Sequence, residues 1–272
     1  MITRRKSTVL LGALALAWGT LSLAACGGEK PAGDDAATAA AGDNAPAAGA
    51  PAAAAGPTGT ATVAGSVSYE GEVPNLRPVS MSADPGCASK HSGEVPSDVL
   101  VLGPNQELGN VFVWVSQGLP DAQWTPPSTA VTIDQNGCMY KPHVVGVQAG
   151  QKLTFLNSDG LLHNVHALPQ VNQEFNVAMP AERKEADHTF DQPEGVFRVK
   201  CDVHPWMNAY IGVVKHPFFA VTGTDGKFTL ANLPAGTYTV EAWHERLKAD
   251  PQTVTVTDGG TGSVSFVFKR PA

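Results

Sequence analysis

From residue 60 onward the chain consists of short runs of Val, Thr, Phe and Tyr broken by clusters of Gly, Pro, Asn and Asp. No stretch repeats its apolar residues at the helical period, so helices cannot supply the core. β-Branched and aromatic side chains suit a pleated, half-buried surface, and turn residues end each run. Strands are predicted over 62–69, 111–115, 153–156, 196–200, 210–214, 227–230, 237–242 and 263–268. This spacing of strands and turns implies an all-β protein built of β-sandwiches. About 210 residues are available, enough for one large domain or two small ones.

The first 60 residues read differently. Arg4, Arg5 and Lys6 precede an apolar run over 9–23, the layout of a secretory signal. That run is shorter than the roughly 20 residues of a spanning helix. Its end, Leu23-Ala24-Ala25-Cys26-Gly27, resembles a lipobox, which implies cleavage after residue 25 and a lipidated Cys26 as the mature N-terminus. Residues 26–60 offer no aromatic, Leu or Val to bury and read as a disordered Ala/Pro/Gly tether. The expected address is the cell envelope, lipid-anchored in the outer membrane and facing the periplasm. Losing Arg4, Arg5 and Lys6 leaves 15 basic against 25 acidic side chains, a formal charge of −10. Such a chain does not bind nucleic acid.

The chemistry is concentrated in Cys201-Asp202-Val203-His204-Pro205-Trp206-Met207, which follows a predicted strand. Thiolate, imidazole and thioether stand three residues apart. Soft sulfur ligands with imidazole select copper, and one Cys with two His and a weak axial Met is an electron-transfer set. Zinc is the chemical rival, although thioether is absent from its usual ligands. A second imidazole is required from upstream, and Asn157-Ser158-Asp159-Gly160-Leu161-Leu162-His163-Asn164-Val165 offers His163.

Together these segments resemble the plastocyanin and amicyanin branch of the cupredoxins, over about residues 130–216. The resemblance implies a Greek-key β-sandwich holding one mononuclear copper, with His163, Cys201 and His204 as trigonal ligands and Met207 as the long axial one. It implies that Asn164 braces the two ligand loops. It also implies a solvent-exposed His204 edge, rimmed by Pro205 and Trp206, as the electron-entry patch; plain core filling is the other reading of Trp206. The sequence departs from the family in having Leu162, where members often carry Pro. Strand alternation turns His166 away from His163. His143 reads as a satisfied polar group near the site or a peripheral metal contact, and His91, His188, His216 and His244 as surface or structural.

The tail, from Thr222-Gly223-Thr224-Asp225-Gly226 through Pro234-Ala235-Gly236-Thr237-Tyr238, resembles a carboxypeptidase regulatory-like (transthyretin-like) domain. Asp225-Gly226 is expected to be a hairpin turn. Residues 217–272 are too few for a comfortable core, but Gly65-Ser66-Val67 and Asn110-Val111-Phe112-Val113 fit that family's missing strands. The expected organisation is therefore a signal peptide (1–25), a tether (26–60), the first part of the regulatory-like sandwich (61–125), a cupredoxin domain (126–216) and the second part of that sandwich (217–272). Three pieces in series are the alternative.

Of four cysteines, Cys26 is assigned to lipid and Cys201 to metal. Cys87 and Cys138 remain, and in an oxidising compartment a disulfide between them is the economical assignment; a buried thiol is the other. No nucleophile–base motif or paired-carboxylate arrangement indicates an enzyme. The expected function is electron transfer, with a redox protein such as a c-type cytochrome or a membrane oxidoreductase as partner. A copper-handling module and a structural envelope lipoprotein are the alternatives.

Overall fold

The computed structural model describes residues 56–269. The expected signal, Cys26 and most of the tether lie outside the described residues. Among the described residues no helix is long and apolar enough to cross a membrane.

The chain opens with β1 (Ala61–Glu70), then the single-turn helix α1 (Pro85–Ala88) and β2 (Phe112–Gln117). Nine strands follow: β3 (Val131–Gln135), β4 (Tyr140–Lys141), β5 (Val144–Gln148), β6 (Lys152–Asn157), β7 (His163–Leu168), β8 (Phe175–Met179), β9 (Glu185–Thr189), β10 (Gly195–Lys200) and β11 (Asn208–Val214). The last five are β12 (Phe219–Val221), β13 (Lys227–Leu233), β14 (Gly236–Trp243), β15 (Gln252–Val256) and β16 (Thr261–Lys269).

Four sheets form two sandwiches. One pairs the sheet β13-β1-β16 with β12-β2-β14-β15; the other pairs β5-β11-β10-β7-β8 with β4-β3-β6-β9. The two ends of the described chain thus share a sandwich: β1 runs parallel to β16 from Thr62 opposite Thr261 to Glu70 opposite Lys269. Period-2 alternation explains the pairing of faces. Val264, Phe266 and Phe268 point inward from β16, and Val63, Val67 and Tyr69 from β1. They close on Val113, Val115, Tyr238 and Val240 of the facing sheet.

Asp225-Gly226 is a turn of another kind than expected. Strand β12 pairs with β2 and β13 with β1, so the turn carries the chain from one sheet to the other instead of closing a hairpin. Gly226 takes φ +63°, and a Cβ there would lie 2.3 Å from the Val67 carbonyl oxygen, so both conformation and space demand glycine.

The central sandwich has its own core, including Ile133, Leu153, Phe155, Val165, Phe197, Val199 and Ile211. The two sandwiches meet through Phe112 of β2, which is fully buried with Val144 and Val214. Its ring lies over Gly146 and Gly212, register partners on β5 and β11, where added Cβ atoms would come within 2.5 and 2.6 Å of it. The chain crosses between sandwiches at 118–130 and 215–218. Gln148 ties both crossings by donating to the carbonyls of Trp124 and Lys215.

A third connection is made by the long segment between β1 and β2. It leaves the outer sandwich and packs Met81 and Cys87 into the central sandwich's core. There Cys87 is disulfide-bonded to Cys138.

Candidate metal centre

The two loops that carry the candidate ligands are held by ordinary turn chemistry. Between β6 and β7, Asn157 Nδ2 donates to the Leu161 and Met179 carbonyls, both at 2.9 Å. Asp159 accepts from the Gly137 and Cys138 N–H groups, both at 2.7 Å. This places His163 at the start of β7. Cys201 follows β10 directly, and the loop beyond it closes on itself. Met207 N–H donates to the His204 carbonyl at 2.9 Å, and Cys201 N–H to the Met207 carbonyl at 3.1 Å. Asn164 Oδ1 accepts from Asp202 N–H at 2.6 Å, joining the loops. The Tyr140 hydroxyl donates to the Asn164 carbonyl at 2.5 Å and lies 3.2 Å from that of Lys200.

The loops bring three side chains together. His163 Nδ1 lies 2.9 Å from His204 Nδ1, which is 3.8 Å from Cys201 Sγ. One ligand atom from each of the three lies within 4.8 Å of the others, and all three residues are buried. Cys201 is the free cysteine of the described residues, and Met207 is fully buried at the end of the same loop. The far nitrogens face carboxylates: His163 Nε2 is 2.9 Å from Asp159 Oδ2, and His204 Nε2 is 3.0 Å from Asp84 Oδ2. A far N–H donated to a carboxylate fixes the tautomer and turns each Nδ1 lone pair inward.

Electrostatics prepare the same pocket. Burial pushes the Cys201 thiol up, but His163 and backbone N–H groups outweigh it and hold the thiol below its ordinary value. Burial opposes charge on His163 too, yet Asp159 and Cys201 raise it to about 9. Asp159 is depressed to about 2, burial being overcome by His163, two backbone N–H groups and Lys90. A thiol already acidified among neutralisable imidazoles is a ready ligand, since the thiolate is the metal-binding form.

The expected exposed edge of His204 is not there: the residue is only 2% exposed. The segment carrying α1 covers it, with Asp84 Oδ2 at 3.0 Å and Cys87 Sγ at 3.6 Å from Nε2. Pro205 remains exposed, and Trp206 is half-buried, its indole N–H donating to the Cys138 carbonyl at 3.1 Å. The side chains of His166 and His143 are engaged elsewhere: His166 between Asp202 and Glu174, His143 between Asp98 and Glu245. His91 bonds the Gly137 carbonyl, His188 stacks on Phe175, and His216 and His244 are buried. Sequence reasoning missed Asp84 and Asp159 as partners of His204 and His163. Asp159 could have been suspected from its place four residues before His163, whereas nothing local connects Asp84 to His204, 120 positions away.

Residues 127–214 match the family model described as copper binding proteins, plastocyanin/azurin family. The central sandwich is cupredoxin-like. Residues 194–264 match a second model, polysaccharide lyase family 4, domain II. That match straddles the two sandwiches: β10 and β11 pair with β7 and β5, while β12–β16 belong to the outer one. Among solved structures, an amicyanin mutant in its Cu(I) form is 24% identical, covering 31% of this chain and 81% of that one, with a TM-score of 0.28. A copper-containing nitrite reductase from Thermus scotoductus SA-01 is 22% identical over 37% of this chain and 26% of its own, TM-score 0.30. A purple cupredoxin from Nitrosopumilus maritimus is 22% identical over 30% and 98%, TM-score 0.26. A search of curated proteins returns no match.

The donor set suits copper. Two imidazole nitrogens and a sulfur converge among buried residues, and soft sulfur with nitrogen is the ligand chemistry that both copper oxidation states accept.

Proposed function

We propose that this protein transfers electrons through one mononuclear copper held by His163, Cys201 and His204, with Met207 as a weak axial ligand. The observation that carries the reading is the convergence of two inward-facing Nδ1 atoms on the one free thiol of the described residues, at a buried site. Copper bound there supplies a one-electron couple. The protein's part is to keep the ligands still: Asn164 and Tyr140 lock the loops to each other, and Asp159 and Asp84 lock the rings. Rigid ligands keep reorganisation small when one electron passes, and no substrate is transformed, so the reading is of a carrier and not an enzyme.

The rest of the reading concerns setting. The regulatory-like sandwich is split, with the copper domain inserted in it, and Cys26 tethers the whole to the envelope membrane, most simply the outer membrane on its periplasmic side. The partner is a redox protein such as a c-type cytochrome or a membrane oxidoreductase. Because the His204 edge is covered, that partner approaches beside it, where Leu162 and Val203 stand exposed next to the ligands in sequence. Copper handling is the second reading, and a solvent-reachable, readily exchanged Cu(I) favours it over the carrier.

Absorption and EPR with one equivalent of Cu(II) test the proposal. A short Cu(II)–thiolate bond gives an intense visible band, and Cys201→Ala abolishes both the band and reversible one-electron cycling. Weak colour in the parent, or an intense band surviving in that variant, ends the electron-carrier reading.

A further inference from the structure

We infer that Asp84, brought to the metal centre from the outer sandwich on a disulfide-latched cap, is a positioning residue that holds His204 and closes its outer edge. The inference rests on the copper reading above and adds to it a contribution from the other sandwich.

The cap belongs to the long segment between β1 and β2, strands that both lie in the outer sandwich. Over the ligand loops it is fastened at several independent points. Cys87 is bonded to Cys138, His91 Nε2 lies 2.7 Å from the Gly137 carbonyl, and Lys90 Nζ reaches the Asp159 carbonyl at 2.8 Å and its carboxylate at 3.3 Å. Gly86 packs so closely on Leu161 that a Cβ there would lie 3.2 Å from the leucine methyl. These anchors fix where Asp84 can be.

The two carboxylate oxygens of Asp84 then divide the work. Oδ1 accepts from the Gly86 and Cys87 N–H groups at 2.8 and 3.1 Å, capping α1 and setting the rotamer. Oδ2 is left facing His204 Nε2. A carboxylate on the far N–H of a ligating imidazole orients the ring and makes it a stronger donor, which favours the more oxidised metal. Asp159 does this for His163 from within the central sandwich. The two histidines are therefore backed by carboxylates from segments belonging to different sandwiches, and replacing the Asp84 carboxylate loosens His204.

The test uses the full chain loaded with copper and the variants Asp84→Asn and Asp84→Ser. Both substituents remain good helix caps, so α1 is kept, but neither offers His204 a carboxylate. Copper content, reduction potential and the rate at which bathocuproine disulfonate removes Cu(I) are measured on each. The expected result is one copper per chain in parent and variants, a higher potential in both variants, and removal about 10–100-fold faster, the usual scale for losing such a partner. Asp84→Glu, which restores a carboxylate, should move both values back toward the parent. Parent-like potential and removal rate in both variants overturn the inference while leaving the copper reading standing. A parent that takes up no copper overturns both.

Discussion

Replacing Gly212 with Ala should destabilise the protein, although alanine is ordinarily the better strand residue. In a strand interior glycine costs roughly 0.5–1 kcal/mol relative to Ala, so the backbone term alone favours the substitution. Against it stands the Phe112 ring: the new Cβ would lie 2.6 Å from Cε1 and Cζ and 2.9 Å from Cδ1. Ordinary carbon contacts lie at about 3.5–4.0 Å, so the ring must retreat by about 1 Å. It has nowhere to go. It is fully buried, stacks on Trp114 at 5.3 Å, abuts Phe219 at 5.7 Å, and also lies over Gly146, the register partner of Gly212. Overpacking of this kind costs roughly 1–3 kcal/mol. After the backbone gain we expect a net loss of about 1–2 kcal/mol, a fall in Tm of about 2–8 °C for a domain of this size. The assay is a double-mutant cycle by urea unfolding. Phe112→Ala alone should cost about 3–5 kcal/mol. In its background Gly212→Ala should become neutral or stabilising, because the cavity accepts the methyl. If Gly212→Ala costs the same in both backgrounds, or stabilises the parent, the account of how the sandwiches dock is wrong.

Removing the Cys87–Cys138 bridge by paired serines opens a loop spanning 51 residues, worth about 4 kcal/mol in the chain-entropy model, and should also speed copper removal by chelator. Thermal unfolding measures the first and chelator kinetics the second; an unchanged Tm would refute the estimate. His143 should give stability an alkaline slope. Burial would lower its pKa, but Asp98 and Glu245 raise it to about 9, and Glu245 is shared with the Tyr210 hydroxyl. The Nε2–H bonds Glu245 at 2.7 Å, whereas Nδ1 is 3.0 Å from Asp98 Oδ2 without an aligned hydrogen bond, so that contact is ionic. A raised pKa stabilises fully below about 6.5, and the gain, about 3 kcal/mol, is lost as pH rises through 9. Urea midpoints between pH 6 and 10 should fall in the parent and flatten in His143→Gln. Met207→Leu should keep copper and colour while raising the potential, since an apolar axial position disfavours Cu(II); loss of copper would show that Met207 does more than tune.

What could be read from the sequence is what depends on neighbours along the chain. The long alternating strands β1, β14 and β16 declare themselves by period, and the Cys201 to Met207 segment by ligand spacing. Strands such as β8, β9 and β12 were not foreseen. β9, with the sequence EADHT, carries charged side chains on an edge of its sheet, and β12 is three residues long. The error over the His204 edge has the same root. Its cover comes from residues around Asp84 and Cys87, and the disulfide that fixes them was expected without any sign of what it would shield. Long-range coverage of a site leaves no period and no spacing.

The position of the cap along the chain also orders how the site can be assembled during synthesis. Asp84 and Cys87 emerge before His163, Cys201 and His204. The strands that complete the cap's own sandwich, β12 to β16, emerge after all of these. The cap's fastenings, Gly137, Cys138 and Asp159, precede His163, Cys201 and His204 in the chain, so the lid does not wait for those last strands. The lid and the loops beneath it can therefore settle on each other before the last strand pairs with the first, and the pairing of β16 with β1 completes the outer sandwich after the site is covered.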